Sequence, residues 1–206
     1  MTARIVVLAS GNGSNFQAVL DASTSGDHTL DATVVALVTD RDDAYALHRA
    51  AEAGVPTVVL IRLDAESRSA YDTRLAEAVA EAAPDIVVLA GWMRLLSMSF
   101  LSRFPRRVVN LHPALPGQFP GTHAIERALE AARRSEIDHT GVMVHYVPDE
   151  GVDDGPVIAT ASVPIHHDDS LESLSERVHA VEQLTLISAL RTVISDARRR
   201  AGPGSS

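Results

Sequence analysis

Cysteine is absent from all 206 residues of the chain. Its absence excludes disulfide bonds, thiolate metal ligands and a cysteine nucleophile. It also fits a reducing compartment, and the cytoplasm is the location we expect. Aromatic residues are scarce as well, at 4% of the sequence. The core must therefore be built mainly from Val, Leu, Ile and Ala.

Long apolar runs and basic clusters are also missing. The apolar run at residues 5–9 is too short for a signal peptide or a bilayer span. The net charge is −9, and the one dense basic run is residues 198–200, whereas a protein that grips a nucleic-acid backbone needs clustered Lys and Arg. We therefore expect small-molecule partners, with no nucleic acid and no membrane. The predicted domain covers residues 1–197, and residues 198–206 are predicted to be a flexible tail.

Short β-branched apolar runs alternate with segments of helical spacing in the first half of the chain. Strands are predicted at residues 5–9, 33–38, 57–60, 86–90 and 107–110. Helices are predicted at residues 15–22, 43–53, 67–82 and about 97–104. Uninterrupted apolar strands separated by helices favour an α/β fold, with one mostly parallel twisted sheet and helices on both faces.

The second half predicts a helix at about residues 122–134, longer strands at 140–147 and 156–163, and a long closing helix. Apolar residues recur along that last helix at spacings of three and four: Leu171, Leu174, Val178, Val181, Leu184, Ile187, Leu190 and Ile194. Asp169 or Ser170 could cap it. No repeat or linker is evident, so a single domain is expected.

Three segments could carry chemistry, and the first is Ser10-Gly11-Asn12-Gly13-Ser14-Asn15, between a predicted strand and a predicted helix. Its glycines let the backbone approach a ligand, and a helix N-terminus offers free N–H groups to an anion. Gly-Lys-Ser/Thr of a Walker loop is missing, and Phe16 stands where a dinucleotide loop has its third glycine. Phosphate binding and a simple tight turn both remain open.

The second segment is Asn110-Leu111-His112-Pro113. On an extended chain Asn110 and His112 point to the same side, and Pro113 keeps His112 out of the helical region. Histidine can shuttle a proton near neutral pH, and an asparagine amide can donate to an oxyanion. A purely structural histidine is the alternative, but two polar groups on one side of a strand end favour function.

The third segment is the acidic loop at residues 148–156, between two predicted strands, which holds Asp149, Glu150, Asp153 and Asp154. Such a loop can bind a metal, orient a histidine or simply be solvated. The calcium-loop pattern Asp-x-Asp-x-Asp-Gly is absent. Composition alone cannot choose one carboxylate among the four.

Six stretches jointly match a known family in order and spacing: residues 5–15, 84–96, 109–116, 119–121, 141–146 and 153–156. With them the chain resembles the phosphoribosylglycinamide formyltransferases of purine synthesis from Arg4 to about Ile194. The resemblance implies a Rossmann-like formyltransferase fold. It also implies transfer of a formyl group from 10-formyltetrahydrofolate, as co-substrate, to the amine of phosphoribosylglycinamide.

The resemblance also implies three sets of site residues. The catalytic trio falls on Asn110, His112 and Asp153. The ribonucleotide site falls on Gly13, Ser14, Asn15 and Glu182. The folate site falls on Arg68, Met93, Arg94, Leu95, Leu96 and Asn110.

In the implied mechanism Asn110 donates to the oxyanion and His112 transfers protons. Asp153 is expected to favour the charged imidazole by raising the pKa of His112. No metal is predicted, because the trio supplies both functions and no His/Cys ligand spacing is evident. The chain departs from the family pattern at residues 115–118, with Gln118 in the loop, and by one extra residue before Asp153.

Related activities are the main alternatives. A methionyl-tRNA formyltransferase would need a basic RNA-binding region. A formyltetrahydrofolate deformylase normally carries an additional N-terminal domain, for which a strand starting at Arg4 leaves no room. A non-catalytic nucleotide-binding module would leave Asn110, His112 and Asp153 unexplained. The oligomeric state stays open, with a homodimer as the assembly to test.

Overall fold

The computed structural model describes residues 2–24 and 30–201. Within them are seven strands: β1 (Ala3–Leu8), β2 (Ala32–Thr39), β3 (Thr57–Val59), β4 (Ile86–Leu89), β5 (Val108–His112), β6 (His139–Tyr146) and β7 (Val157–Pro164). The helices are α1 (Ser14–Thr24), α2 (Ala46–Glu52), α3 (Arg68–Glu81), α4 (Met98–Leu101), α5 (Ala124–Arg133) and α6 (Leu171–Ala201). Every predicted element is present, with ends shifted by a few residues.

The strands form one sheet in the order β3-β2-β1-β4-β5-β6-β7. Strands β1 to β5 pair in parallel, and β6 and β7 add antiparallel partners at one edge. This mostly parallel sheet confirms the predicted α/β class. The strand order reverses between β1 and β4, because the chain moves outward to β3 and then returns to the other side of β1. In open α/β sheets such a switch point opens a crevice at the carboxyl ends of the strands.

Helices cover both faces of the sheet, as predicted. Successive side chains of a strand point to opposite faces. In β1, Ile5 packs in the core that contains Phe16 of α1, whereas Val6 packs in the core that contains Tyr71 of α3. Both faces of the central strands are therefore dry, which is why those strands are apolar without alternation.

Of the two residues predicted to cap helix α6, Ser170 is the one that does so. Ser170 Oγ accepts a hydrogen bond from the N–H of Ser173 at 3.1 Å, which is N-cap geometry. Asp169 instead accepts two hydrogen bonds from the guanidinium of Arg177, each at 2.8 Å. Ser170 is therefore the cap. No helix in the described part of the chain is both long and apolar enough to cross a membrane.

The apolar stripe predicted along α6 is wrong at two positions: Leu171, in the first turn, is 42% exposed, and Leu184 leaves the buried face in the middle of the helix. Leu174 and Val178 are buried, but Leu184 is 75% exposed and Glu182 is only 5% exposed. At 3.6 residues per turn, Leu184 lies about 120° around the helix from Val178, so it leaves the buried face. The buried face continues from Val178 to Glu182, at a spacing of four.

The end of α6 differs from the predicted tail. The helix continues to Ala201, so residues 198–201 are helical, and the predicted boundary after residue 197 falls inside α6. Arg198 pairs with Asp31, which precedes β2, and so ties this end of the helix to the sheet. The rest of the predicted tail, residues 202–206, lies outside the described residues.

Candidate active site

The loops that follow β1 and β4 meet at the switch point. Ser10 Oγ accepts a hydrogen bond from the N–H of Met93 at 3.1 Å. The N–H of Ser10 donates to the carbonyl of Gly91 at 3.0 Å. Strand β5 pairs with β4, with Asn110 opposite Leu89, so the polar end of β5 lies at the same edge. The polar motifs at the ends of β1, β4 and β5 therefore border one crevice.

Asn110, His112 and Asp153 form one connected group. Asn110 Nδ2 donates to Asp153 Oδ1 at 3.0 Å, and Nδ1 of His112 lies 3.2 Å from Asp153 Oδ2. The N–H of Gly121 donates to Asp153 Oδ2 at 2.8 Å. Leu111, between the two polar residues, enters the core, as alternation predicts. Of the four carboxylates in the acidic loop, Asp153 is the one that reaches the end of β5.

The backbone conformation of the acidic loop orients the side chain of Asp153 toward the end of β5. Asp153 has a φ of +54°, in the left-handed region that Asp and Asn tolerate better than most residues. Two residues later, a Cβ at Gly155 would collide with the carbonyl oxygen of Tyr146. Glycine there lets the loop return tightly against the end of β6. The loop is thereby held where its carboxylate meets Asn110 and His112.

His145 is a fourth member of the group, and it was not among the predicted site residues. Strands β5 and β6 pair so that Asn110 lies opposite His145. Nδ1 of His145 lies 2.9 Å from the carbonyl of Tyr146, which assigns the proton to Nδ1. Nε2 is then an acceptor, 3.1 Å from Asn110 Nδ2. Both N–H groups of the Asn110 amide are therefore used, one on His145 and one on Asp153.

Asp153 is the charged member of the trio. Burial alone would raise the pKa of Asp153, but the neighbouring His145, the hydrogen bond from the Gly121 N–H and the nearby His112 hold that pKa below its usual value. The carboxylate is therefore ionised at neutral pH. An ionised Asp153 also fixes the Asn110 amide, since only its NH₂ side can face a carboxylate.

Asp153 does raise the pKa of His112, as expected, but the net shift is in the other direction. Burial lowers the pKa of His112 below its ordinary value and outweighs the attraction of Asp153, because the side chain is only 5% exposed. A neutral imidazole with its proton on Nδ1, facing Asp153, leaves a lone pair on Nε2. That Nε2 is buried and has no hydrogen-bond partner among the described residues. A buried acceptor without a partner is costly unless a ligand uses it.

The loop after β1 has the geometry of an anion site. Gly13 has a φ of +75°, and a Cβ there would lie 2.7 Å from the Cβ of Ala46. Ser14 is the first residue of α1, so the loop delivers the helix N-terminus, with its unpaired N–H groups, to the crevice. Arg49 of α2 braces the loop by donating to the carbonyl of Asn12 at 2.9 Å. Arg49 was not predicted, because the loop motif does not extend into α2.

Asn15 and Glu182 meet although they are far apart in the chain. Asn15 Nδ2 donates to Glu182 Oε2 at 3.1 Å, and Nδ1 of His179 lies 2.8 Å from the same oxygen. The hydrogen bond to Glu182 raises the pKa of His179 above its ordinary value. Asn15 Oδ1 is buried without a partner among the described residues. The four predicted ribonucleotide residues therefore lie together at the start of α1.

The predicted folate residues divide into exposed and buried sets. In the loop after β4, Met93 and Leu95 are 67% and 49% exposed, whereas Leu96 is 4% exposed and packs in the core. Arg94 donates to the buried Asp40 at 2.7 Å and stacks over Tyr71, so its side chain serves the structure. The surface that this loop offers a ligand is therefore apolar.

Arg68 starts α3 and reaches the acidic loop. Its guanidinium is ion-paired with Glu150, whose other oxygen accepts a hydrogen bond from the N–H of Met98 at 2.9 Å. The predicted folate residue thus contacts the loop that carries Asp153. Glu150 was one of four equivalent carboxylates in the sequence, and its contact depends on the path of the loop.

Comparison with known proteins identifies the class to which this fold and site belong. Residues 3–190 match the formyl transferase family. The chain belongs to that family.

More specific relatives place the chain within the family. It is 44% identical to the phosphoribosylglycinamide formyltransferase of Schizosaccharomyces pombe, over 95% of this chain and 99% of the relative. It is 44% identical to the Escherichia coli K12 enzyme of the same name, over 86% of this chain and 81% of the relative. The crystal structure of glycinamide ribonucleotide transformylase 1 from Geobacillus kaustophilus is similar, with a TM-score of 0.85 and 41% identity, covering 94% and 99% of the two chains. The chain is a member of the phosphoribosylglycinamide formyltransferases.

Proposed function

We propose that this chain transfers the formyl group of 10-formyltetrahydrofolate to the amine of phosphoribosylglycinamide, through Asn110, His112 and Asp153. The products are tetrahydrofolate and the N-formyl ribonucleotide of purine synthesis. The observation that carries this assignment is Nε2 of His112, a buried acceptor without a partner in the described chain, beside an amide donor and an ionised carboxylate. Together these groups can supply the proton transfer and the oxyanion stabilisation that accelerate acyl transfer to an amine.

The first half of the reaction forms a tetrahedral intermediate. The amine nitrogen attacks the formyl carbon, and the carbonyl electrons move to oxygen. Asn110 turns one N–H from His145 or Asp153 to that oxyanion. Loss of such a donor costs about 10²–10³ in rate.

His112 then moves one proton from the attacking nitrogen to the leaving nitrogen. Its neutral Nε2 accepts the proton of the amine, which is acidified once the new C–N bond has formed. The resulting imidazolium is stabilised by Asp153 through Nδ1–H. As the intermediate collapses, the bond between the formyl carbon and the folate nitrogen breaks, and Nε2 returns the proton to that nitrogen. The lowered pKa of His112 favours this cycle, because the ring starts neutral at physiological pH.

The two substrates bind to different loops of the crevice. Gly13, Ser14 and Asn15 hold the phosphate of the ribonucleotide at the start of α1, and Glu182 directs its amine end. The backbone of residues 93–96, with the exposed side chains of Met93 and Leu95, receives the flat ring of the folate. Leu96 supports that loop from the core. Arg68 binds a carboxylate of the donor.

The test is an absorbance assay of tetrahydrofolate release from 10-formyltetrahydrofolate, with and without phosphoribosylglycinamide. Release that requires the ribonucleotide is the expected result. Equal release without it would indicate the deformylase, and no release in either mixture would favour the binding module. His112→Asn, which keeps a polar side chain of similar reach at the strand end, should lose about 10²–10⁴ in rate.

Assembly and location complete the proposal. The cytoplasm is the location we expect, since the substrates of this family are small metabolites and the chain has no cysteine. A homodimer is the assembly to test. Sedimentation velocity distinguishes a dimer from a monomer directly.

A further inference from the structure

Glu150 is held by both of its carboxylate oxygens, although it lies in a loop. One oxygen is paired with the guanidinium of Arg68 on α3, and the other accepts from the N–H of Met98 at 2.9 Å. Three residues further along, Asp153 is fixed to Asn110 and Gly121. The acidic loop therefore has one anchor in the trio and a separate anchor at the starts of α3 and α4.

At the second anchor, Glu150 is paired with Arg68, which is a cation of the proposed donor site. Arg68 and Glu150 each leave 43% of their side chains exposed, so the pair can exchange with solvent and with ligands. The side chain of Met98 is 44% exposed beside it. A carboxylate is the group that a guanidinium binds best, since two parallel N–H groups match its two oxygens.

We infer that Glu150 is a specificity-determining residue, which occupies Arg68 as a stand-in for the donor's carboxylate and must be displaced when that carboxylate binds. This inference rests on the proposed donor site. A donor carboxylate competes with the Glu150 carboxylate for Arg68. The binding free energy gained through Arg68 is therefore the difference between two similar ion pairs. A donor with a glutamyl carboxylate binds more tightly than a donor without one. Because of Glu150, this difference in affinity is smaller than an unpaired Arg68 would produce.

The experiment measures dissociation constants by calorimetry for tetrahydrofolate and for tetrahydropteroate, which is the same molecule without its glutamate. Glu150→Gln keeps an oxygen for the Met98 N–H but removes the charge that holds Arg68. The matched control is Asp149→Asn, in the same loop, since Asp149 accepts from the N–H of Gly151 at 2.9 Å and is not paired with Arg68. Removing the competing charge should tighten tetrahydrofolate about two- to fivefold relative to tetrahydropteroate, the range expected of a partly exposed ion pair.

Three outcomes decide the matter. Competition for Arg68 is supported if Glu150→Gln tightens the tetrahydrofolate complex relative to the tetrahydropteroate complex. The ratio of the two dissociation constants should stay at its wild-type value in Asp149→Asn, and the preference for tetrahydrofolate should disappear in Arg68→Gln. Equal effects of Glu150→Gln on both ligands, weaker binding, or no change would overturn it and make Glu150 a structural strut. If neither ligand binds the wild-type chain, the donor site itself is wrong, whereas the competition alone fails when both bind and the ratio does not move.

Discussion

Asn110 and His145 face each other across β5 and β6, and their side chains are 3.1 Å apart at Nδ2 and Nε2. This contact holds the amide whose N–H is proposed to meet the oxyanion. His145 is thus a positioning residue, which acts through Asn110.

Removing the acceptor on His145 should loosen Asn110. We expect His145→Leu to lower kcat about tenfold or more, since small misplacements of catalytic groups are costly. His145→Gln, whose amide oxygen can accept from Asn110, should retain more of the rate. Steady-state kinetics of both variants, with melting temperatures as the folding control, test the role. Equal losses in the two variants would argue against it.

Asp153→Asn should fold normally but lose most of its turnover. Asparagine tolerates the φ of +54° at this position, so the loop should keep its path. The variant cannot stabilise the imidazolium, and the expected loss in kcat is about 10²–10⁴. Near-wild-type kcat would contradict the assignment of Asp153.

The acid limb of kcat/KM should report His112. Its folded pKa lies below its ordinary value, so the required neutral ring persists to a lower pH than a free imidazole would allow. The stability of the fold should depend on pH in the same direction. Because protonation of His112 favours the unfolded chain, the contribution of the neutral ring to the free energy of unfolding is complete above about pH 6.5 and is lost as the pH falls through the folded pKa. Asp153→Asn should move the limb to lower pH, since the charge of Asp153 raises the pKa of His112. A pH profile from 4.5 to 8, run on both forms with roughly equal buffer strength, measures this, and a limb that moves upward would contradict it.

Gly13→Ala should disturb the loop after β1. It forces a side chain into the left-handed region and against Ala46, at a cost of about 1–3 kcal/mol, and should raise the KM for the ribonucleotide. Gly11→Ala is the stability control, since a Cβ there meets nothing within 4 Å. Chemical denaturation of both variants tests the difference. Equal stability would show that the loop relaxes around the new methyl group.

The exposure of Leu184 can be checked in the same way. Leu184→Ala should change the free energy of unfolding by less than about 0.5 kcal/mol, because the side chain already contacts water. Leu174→Ala, from the buried face of the same helix, should cost about 2–5 kcal/mol. A large loss from Leu184→Ala would mean that this face is covered in solution, as a homodimer could do.

The sequence predicts the sheet well because its signal is local. Apolar runs such as the one through Ile5 report strands that are buried on both faces, and alternation correctly puts Asn110 and His112 on one side with Leu111 on the other. The same periodicity fails at Leu184, where the choice between spacings of three and four depends on what α6 packs against.

The rest of the site depends on contacts between distant segments. Choosing Asp153 required a family resemblance, since the loop's path is set by Gly155 against Tyr146 and not by charge. His145 follows from the register of β5 and β6, which no local pattern records. The sequence predicts the effect of Asp153 on the pKa of His112 but not the net direction, because the depth of burial that outweighs Asp153 depends on tertiary packing.

The most direct test of the central claim follows the formyl carbon itself. The donor would carry a ¹³C-labelled formyl group, and carbon NMR of the mixture with phosphoribosylglycinamide would show where the label goes. The account predicts a formamide signal on the ribonucleotide, formed at a rate that His112→Asn lowers about 10²–10⁴-fold. Label appearing as formate, or a formamide signal that forms at a near-wild-type rate in His112→Asn, would contradict it.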